Sequence, residues 1–189
     1  MNMHTNEHKV RIIGGKFKGM TLIVGNAEGL RPTPDRIRET VFSWLEGKCQ
    51  NLRVLDLFAG SGALGIESFS RGASEVVLVE LDGSNAQLLS SEISKFGKNI
   101  KVVHQDAMNY LKQASGKFDL VFLDPPYCSD LLKDCLNMLK DRNLIDEKSL
   151  IYVEMNAGRS LVVTDYEVIR EECSGQVKYA LWKKSAHLF

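Results

Sequence analysis

The chain has 189 residues, the length of one domain with a buried core. Hydrophobic residues make up 44% and charged residues 25% of it, which excludes disordered, collagen-like and disulfide-scaffold proteins. The apolar runs are too short for a transmembrane helix, and the first nine residues lack the apolar core of a signal peptide, so we expect a cytoplasmic protein. The four cysteines show no CxxC spacing and no cluster with the four histidines, so we expect reduced thiols and no metal.

The balance of 24 basic and 24 acidic residues hides an uneven distribution along the chain. Through Arg53 there are nine Lys/Arg and five Asp/Glu residues, whereas fifteen and nineteen follow from Val54 onward. A basic leader on an acidic body predicts contact with a polyanion such as a nucleic acid. The alternative is that these basic residues form a solvated edge and bind no partner.

Two segments precede the first apolar strand of the main domain. Residues 1–30 form an N-terminal basic arm, in which the strand candidates Val10–Ile13 and Met20–Val24 pair across a glycine-containing loop as a hairpin. A helix follows, with Thr33 as its N-cap and Pro34 in its first position, and it runs to about Leu45. Its apolar stripe consists of Ile37, Val41, Trp44 and Leu45. Arg36 and Arg38 lie off this stripe, where we expect them to meet solvent or phosphate.

Residues 31–189 form the main domain, in which short apolar runs alternate with helical patterns. The strand candidates are Arg53–Phe58, Glu75–Glu80, Ile100–His104, Phe118–Leu123 and Leu150–Met155. The helical segments lie near Ala63–Arg71, Ser84–Phe96, Met108–Ala114 and Asp130–Asp141. Tyr166–Cys173 and Gln176–Lys184 then predict an antiparallel hairpin. This order indicates a doubly wound α/β domain with a mostly parallel sheet and one reversed strand.

A glycine-rich loop follows the first strand of this domain. Gly60, Gly62 and Gly65 fit the GxGxxG pattern, which on its own is typical of several nucleotide-like cofactors. Asp56 narrows the choice, because a carboxylate here would repel a dinucleotide pyrophosphate and attract the cationic groups of S-adenosylmethionine. The alternative is a carboxylate that only accepts hydrogen bonds from the amides of the turn.

Acidic residues also follow the next two strands. Glu80 lies twenty residues after Gly60, the usual offset for an acid that accepts hydrogen bonds from ribose hydroxyls, although Asp82 competes for this role. Asp106 could accept a hydrogen bond from an adenine amino group, with Ala107 or Met108 lining the ring pocket. A helix N-cap is the alternative role for Asp106.

The fourth strand ends in the most specific motif of the chain, Asp124-Pro125-Pro126-Tyr127. The two prolines fix two φ angles and remove two N–H donors, so nearby carbonyl groups can accept hydrogen bonds. Asp124 adds a carboxylate and Tyr127 a flat aromatic face. Acceptors beside an aromatic face suit a planar exocyclic amine.

With these residues, the chain resembles class I S-adenosylmethionine-dependent methyltransferases that act on amino groups. More narrowly, it resembles the bacterial 16S rRNA (guanine-N2)-methyltransferase D family. The resemblance lies in Arg11-Ile12-Ile13-Gly14-Gly15, Lys18-Gly19, Arg31-Pro32-Thr33 with Arg36 and Arg38-Glu39, Asp56 through Gly65, Glu80, Asp106 and Asp124 through Tyr127. It implies a seven-stranded Rossmann-like sheet. The implied substrate is guanine 966 of 16S rRNA in the small ribosomal subunit or its assembly intermediate, with ribosomal proteins as part of the docking surface.

The residues and the resemblance together give a set of expected roles. The catalytic candidates are Asp124, Pro125, Pro126 and Tyr127. The candidates that bind S-adenosylmethionine are Asp56, Phe58, Ala59, Gly60, Gly62, Gly65, Glu80, Asp106 and Ala107. The candidates for phosphate contacts with RNA are Lys16, Lys18, Arg31, Arg36 and Arg38. Methyl transfer would be direct, from the sulfonium group to an unstacked guanine, with no metal and no covalent intermediate.

Other functions remain open from the sequence. The same motif could methylate adenine N6 in DNA or RNA, although DNA enzymes usually carry a recognition domain for which this chain has no room. A protein glutamine amide is a further substrate, which Asn at position 124 would have favoured. An NAD-dependent oxidoreductase and a non-enzymatic RNA-binding assembly module complete the alternatives, and Asp56 and the proline motif argue against the oxidoreductase.

Overall fold

A seven-stranded sheet with helices on both faces forms the body of the protein, and a two-stranded hairpin packs beside it. We describe this fold from a computed structural model, in which residues 8–25, 30, 32–126 and 130–186 are described. The hairpin strands are His8–Arg11 (β1) and Thr21–Val24 (β2). The sheet strands are Arg53–Asp56 (β3), Glu75–Glu80 (β4), Ile100–His104 (β5), Leu120–Leu123 (β6), Leu150–Asn156 (β7), Tyr166–Ser174 (β8) and Val177–Lys184 (β9). The helices are Asp35–Trp44 (α1), Ala63–Ser70 (α2), Gly83–Ile93 (α3), Ala107–Gln113 (α4) and Leu131–Asp141 (α5).

The strand order is β5-β4-β3-β6-β7-β9-β8. Strands β3 to β7 pair in parallel, and β9 is antiparallel to both of its neighbours, β7 and β8. The predicted doubly wound sheet with one reversed strand is therefore confirmed. The chain order reverses between β3 and β6, so the carboxyl ends of these two strands border the crevice where ligands bind in such sheets.

Two apolar cores lie on opposite faces of the sheet. The first includes side chains from α1, α2 and α3, and the second includes side chains from α4 and α5. Successive residues of β4 alternate between them, with Val76 and Leu78 in the first core and Val77 and Val79 in the second. Because both faces are covered there, the central strands β4 and β6 are apolar throughout their interior.

The start of α1 differs from the prediction by one residue. Pro34 occupies the N-cap position with an extended backbone, and it supplies no side-chain hydrogen bond. Thr33 was expected there, but it is buried one residue earlier, and its carbonyl group accepts a hydrogen bond from Arg38 Nε at 3.3 Å. Phe42, which the predicted stripe omitted, is fully buried. The helix therefore buries two adjoining faces, the predicted one with Ile37 and Val41 and a second one with Arg38 and Phe42.

Candidate active site

The loop between β3 and α2 closes tightly around its own glycines. Gly60 and Gly62 have φ angles of 54° and 76°, in the left-handed region that favours glycine. A Cβ atom on Gly65 would lie only 2.4 Å from Leu78 Cδ2, so α2 can approach the sheet closely only with glycine at this position. Ala59 is buried and its N–H donates to the carbonyl group of Val79 at 2.9 Å. The loop is thereby fixed against β4.

Asp56 ends β3 beneath this loop and is 3% exposed. Its Oδ2 atom accepts a hydrogen bond from the N–H of Gly65 at 3.1 Å. Burial raises the pKa of Asp56 to about 7, the Gly65 N–H opposes this rise, and the nearby Glu80 carboxylate adds to it. A cation bound beside Asp56 would favour its ionised form.

Glu80 ends β4 and connects the glycine loop to the start of α3. Its two carboxylate oxygens accept hydrogen bonds from the N–H groups of Gly60, at 2.9 Å, and Asp82, at 2.8 Å. Each carboxylate oxygen has a second lone pair, so the group can accept further hydrogen bonds from a ligand. Asp82 instead caps α3, where its side chain accepts a hydrogen bond from the N–H of Asn85 at 2.8 Å.

Asp106 is the N-cap of α4, at the carboxyl end of β5. Its Oδ1 atom accepts a hydrogen bond from the N–H of Asn109 at 3.0 Å. The following residue, Ala107, is buried in the second core, and Phe58 packs against that core from the loop after β3. The carboxyl ends of β3, β4 and β5 therefore carry one acidic residue each, and each lies two residues further along its strand than the residue that pairs with the preceding acid.

The proline motif follows β6, the neighbour of β3 on the other side. Asp124 is partly exposed and Pro125 is buried, whereas Pro126 is exposed. Desolvation raises the pKa of Asp124 well above its usual value, and the negative charges of Glu154 and Asp56 raise it further. Tyr127, the fourth residue of the motif, lies outside the described residues.

The basic residues expected to contact RNA occupy different environments. Lys16 and Lys18, in the loop of the hairpin, and Arg36, in the first turn of α1, are exposed. Arg31 lies outside the described residues. The prediction for Arg38 is wrong, because its side chain is only 1% exposed and cannot reach a phosphate group. It forms an ion pair with Asp35 at 2.5 Å and lies 3.7 Å from the fully buried carboxylate of Glu67.

Two residues near the crevice were not singled out from the sequence. Asn85 of α3 is buried and donates from Nδ2 to the carbonyl group of Gly60 at 2.6 Å, which fixes the glycine loop. No sequence signal distinguishes it from other polar residues of that helix. Glu154 of β7 is 5% exposed and lies near Asp124. The sequence signal that could have identified Glu154 is a charged residue near the end of an otherwise apolar strand.

The described ranges lack two kinds of feature. They contain no group of three His, Cys, Asp or Glu side chains placed to hold a metal ion. No helix in them is both long and apolar enough to cross a membrane.

Comparisons with known proteins agree with this architecture. Residues 10–183 match the family model described as Conserved hypothetical protein 95. Ribosomal RNA small subunit methyltransferase D of Escherichia coli is 39% identical over 97% of this chain and 94% of its own length. The protein of the same name from Haemophilus influenzae is 38% identical over 93% of this chain and 94% of its own.

A solved structure of a candidate methyltransferase from Escherichia coli superimposes with a TM-score of 0.85. It is 39% identical to this chain, and the match covers 95% of this chain and all of that one. The sheet order and the reversed β9 thus belong to a class I methyltransferase fold. On the family model and these near full-length relatives, the chain belongs to the ribosomal RNA small subunit methyltransferase D family.

Proposed function

We propose that this protein transfers a methyl group from S-adenosylmethionine to the exocyclic N2 of a guanine in 16S rRNA, guanine 966. The substrate is the small ribosomal subunit or its assembly intermediate, which agrees with the cytoplasmic location expected from the sequence. The observation that carries the proposal is the Asp124-Pro125 strand end, which lies beside the crevice formed by the glycine loop. The names of the relatives support rRNA of the small subunit as the substrate class.

The crevice fits S-adenosylmethionine in charge and in its hydrogen-bonding groups. The cofactor carries cationic ammonium and sulfonium groups, and the buried Asp56 would pair with positive charge there. Glu80 would accept hydrogen bonds from the ribose hydroxyls, and Asp106 with Ala107 would border the adenine. Gly60, Gly62 and Gly65, with Phe58 and Ala59, would form the wall of the site. When bound, S-adenosylmethionine supplies an electrophilic methyl group.

The proline motif would hold the target base. The lone pair of the guanine N2 atom is delocalised into the ring, so the amine is a poor nucleophile. Hydrogen bonds from its N–H groups to Asp124 and to the carbonyl group of Pro125 would favour a tetrahedral nitrogen and offset the positive charge that develops on it. Pro126 holds the turn, and Tyr127 would stack on the base, which is worth about 1–3 kcal/mol.

The exposed cations Lys16, Lys18 and Arg36 would contact RNA phosphates, as would Arg31. These contacts position an RNA but do not read its sequence. Selection of one guanine would then depend on the folded rRNA and on ribosomal proteins at the docking surface.

A methyl-transfer assay tests the proposal. Tritiated S-adenosylmethionine is incubated with small subunits from cells that lack the endogenous enzyme, in parallel with naked 16S rRNA, duplex DNA and protein. We expect label chiefly in the subunit, recovered as N2-methylguanosine. Label in adenine would overturn the guanine assignment. No label in any substrate, with cofactor binding intact, would favour the assembly-module alternative.

Substitution of Asp124 separates catalysis from cofactor binding. We expect Asp124→Ala to lower kcat by about 100–1000-fold, because it removes an acceptor for the developing charge. The affinity for S-adenosylmethionine, measured by calorimetry, should stay within about threefold. Asp141→Ala, at the exposed end of α5, is the matched control and should leave both values unchanged. An equal loss of cofactor affinity in Asp124→Ala would contradict the assignment.

A further inference from the structure

A cavity of about 240 Å³ lies directly beyond the proline motif. Pro125 and Pro126 line one side of it, and the end of β7 with the following loop lines the other. The polar side chains from that second side are those of Glu154, Asn156, Arg159 and Ser160. The space next to the proline motif is therefore bordered by two acidic residues, Asp130 and Glu154, and by several hydrogen-bond donors.

The sheet register places Glu154 next to Asp124. Leu123 pairs with Val153 in the parallel ladder of β6 and β7, so the two carboxyl-bearing residues follow at adjacent positions. Side chains alternate along a strand, and both residues therefore belong to the same face of the sheet as Phe122 and Tyr152. The electrostatic effect of Glu154 on Asp124 agrees with this proximity.

The side chain of Tyr152 fixes the orientation of the Glu154 carboxylate. The hydroxyl group of Tyr152 donates to Glu154 Oε2 at 3.0 Å. Tyr152 is fully buried, and its ring packs edge-on against Phe122 with the centroids 5.8 Å apart. An aromatic side chain in a packed core has few alternative positions. Tyr152 therefore holds the Glu154 carboxylate at the wall of the cavity.

A stability role alone accounts poorly for this arrangement. Burial of the Glu154 carboxylate beside that of Asp124 is electrostatically costly. A neutral amide at position 154 could accept the hydrogen bond from the Tyr152 hydroxyl equally well. Like charges at neighbouring strand ends, one of them the buried Glu154 at the edge of a cavity, are typical of functional sites. Two carboxylates at adjacent strand ends suit a ligand that presents two donors side by side.

Guanine has this pattern on its Watson–Crick edge. The N1–H and N2–H groups are adjacent donors and O6 is an acceptor, whereas adenine presents an acceptor at N1. Asn156 accepts a hydrogen bond from the N–H of Gly158 at its Oδ1 atom, at 2.8 Å, so its Nδ2 is the group suited to donate to O6. Arg159, which borders the same cavity, is of the residue type that most often contacts guanine O6 or N7.

We propose that Glu154 is the residue that selects guanine, by accepting the N1–H of the target base while Asp124 accepts its N2–H. This inference rests on the proposed function and adds the group that reads the base. Glu154 disfavours adenine, because its carboxylate would face the lone pair on adenine N1 and repel it. Tyr152 is a positioning residue that acts through Glu154.

The test compares two bases that both carry the amine to be methylated. Small subunits are reconstituted with 16S rRNA that carries guanosine or 2-aminopurine riboside at the target position. 2-Aminopurine keeps the amine at C2 but lacks N1–H and O6. We expect the wild-type enzyme to prefer guanosine by at least about 100-fold in kcat/KM, because a site built to accept a hydrogen bond rejects an analogue without the donor.

Glu154→Gln should reduce this preference at least tenfold, because its amide can donate to the unprotonated N1 of 2-aminopurine. Tyr152→Phe retains the carboxylate and should reduce the preference less. Glu171→Gln, on the exposed β8, is the control and should keep the wild-type preference. Melting temperature and cofactor affinity are measured for each variant, so that a folding defect is seen directly.

Two outcomes would overturn the inference in distinguishable ways. If Glu154→Gln lowered kcat/KM for both bases by the same factor, Glu154 would have a structural role only, and the proposed function would stand. If the wild-type enzyme methylated neither base while binding S-adenosylmethionine, the proposed function would fail and the inference with it.

Discussion

Arg38 holds three parts of the chain through one guanidinium group. It donates to the carbonyl group of Arg11 in the hairpin at 3.1 Å, and to that of Thr33 at the start of α1 at 3.3 Å. Its third contact is with the buried carboxylate of Glu67, at 3.7 Å, in α2. Loss of this cation would remove a partner from two carbonyl groups and would leave Arg71, at 2.9 Å, as the remaining cation beside the buried Glu67.

We therefore expect Arg38→Ala to lower the free energy of unfolding by about 2–4 kcal/mol, because it removes a buried side chain and its hydrogen bonds. Arg36→Ala, two positions away and exposed, should change it by no more than about 0.5 kcal/mol. Urea denaturation followed by circular dichroism measures both variants. Similar small effects in the two would contradict the assignment of Arg38 to the core.

RNA binding should be weakened more by Arg36→Ala than by Arg38→Ala, the reverse of their order in stability. With a phosphate contact at Arg36, Arg36→Ala weakens binding to the small subunit and reduces the slope of log K against log salt concentration by about 1. A filter-binding titration at several salt concentrations checks this slope. No change in the slope would remove Arg36 from the interface.

Helix α2 connects the cofactor loop to the N-terminal hairpin. It begins directly after Gly62, and the Glu67 carboxylate in its middle accepts hydrogen bonds from the N–H groups of Ile13 and Gly14, at 2.9 and 2.8 Å. At its end, the Ser70 hydroxyl accepts from the N–H of Phe17 and donates to the carbonyl group of Gly14. One helix of eight residues thus fixes both the candidate cofactor site and the base of the basic loop.

Two glycines of the hairpin loop test this connection as a matched pair. Gly15 and Gly19 both have positive φ, 79° and 88°, but a Cβ atom on Gly15 would lie 2.0 Å from the Ser70 carbonyl oxygen, whereas one on Gly19 would have no neighbour within 4 Å among the described atoms. We expect Gly19→Ala to cost about 1–2 kcal/mol in unfolding free energy from backbone strain. Gly15→Ala should cost about 1–3 kcal/mol more, because the backbones must separate.

Chemical denaturation of both variants checks this difference. In Gly15→Ala we also expect faster hydrogen exchange at the amides of Ile13 and Gly14, which are bonded to Glu67. Equal costs in the two variants would mean that the hairpin is not held by α2.

Most elements were predictable because their signals are local. Glu75–Glu80 and Ile100–His104 were predicted with the observed ends, since apolar runs between turn residues define buried strands. Arg38 was not predictable, because its partner Glu67 is distant in the sequence and the apolar stripe of α1 omitted Phe42. The acidic strand ends were found by position along the chain, whereas Glu154 was missed because it lies within an apolar strand rather than after it.

At the scale of the whole molecule, the buried carboxyl groups link stability to pH. The pKa of Asp56 is about 7 in the folded protein, above its value of about 3.9 in an unfolded chain. Between these values the folded state holds a proton that the unfolded state has lost, so the stability contributed by this group falls as pH rises from about 4 to 7. The raised pKa of Asp124 acts in the same direction.

We expect Asp56→Asn to be more stable relative to wild type at pH 8 than at pH 5, because the amide keeps an acceptor for Gly65 without the charge. Urea midpoints at the two pH values measure this change. Asp146→Asn is the control, since hydrogen bonds from Lys148 and Ser149 lower the pKa of Asp146 and its contribution is therefore present at both pH values. A stability difference between Asp56→Asn and wild type that is the same at pH 5 and pH 8 would contradict the raised pKa.

Strand β8 is one of the two edge strands of the sheet. Its residues 167–173 are exposed, and four of them are charged: Glu167, Arg170, Glu171 and Glu172. The ladder to β9 is also irregular between Val168 and Arg170. Charged side chains and bulges are the features by which sheet proteins prevent a foreign strand from pairing with an edge. The chain can therefore end its sheet on a nine-residue strand and still resist growth into a fibril.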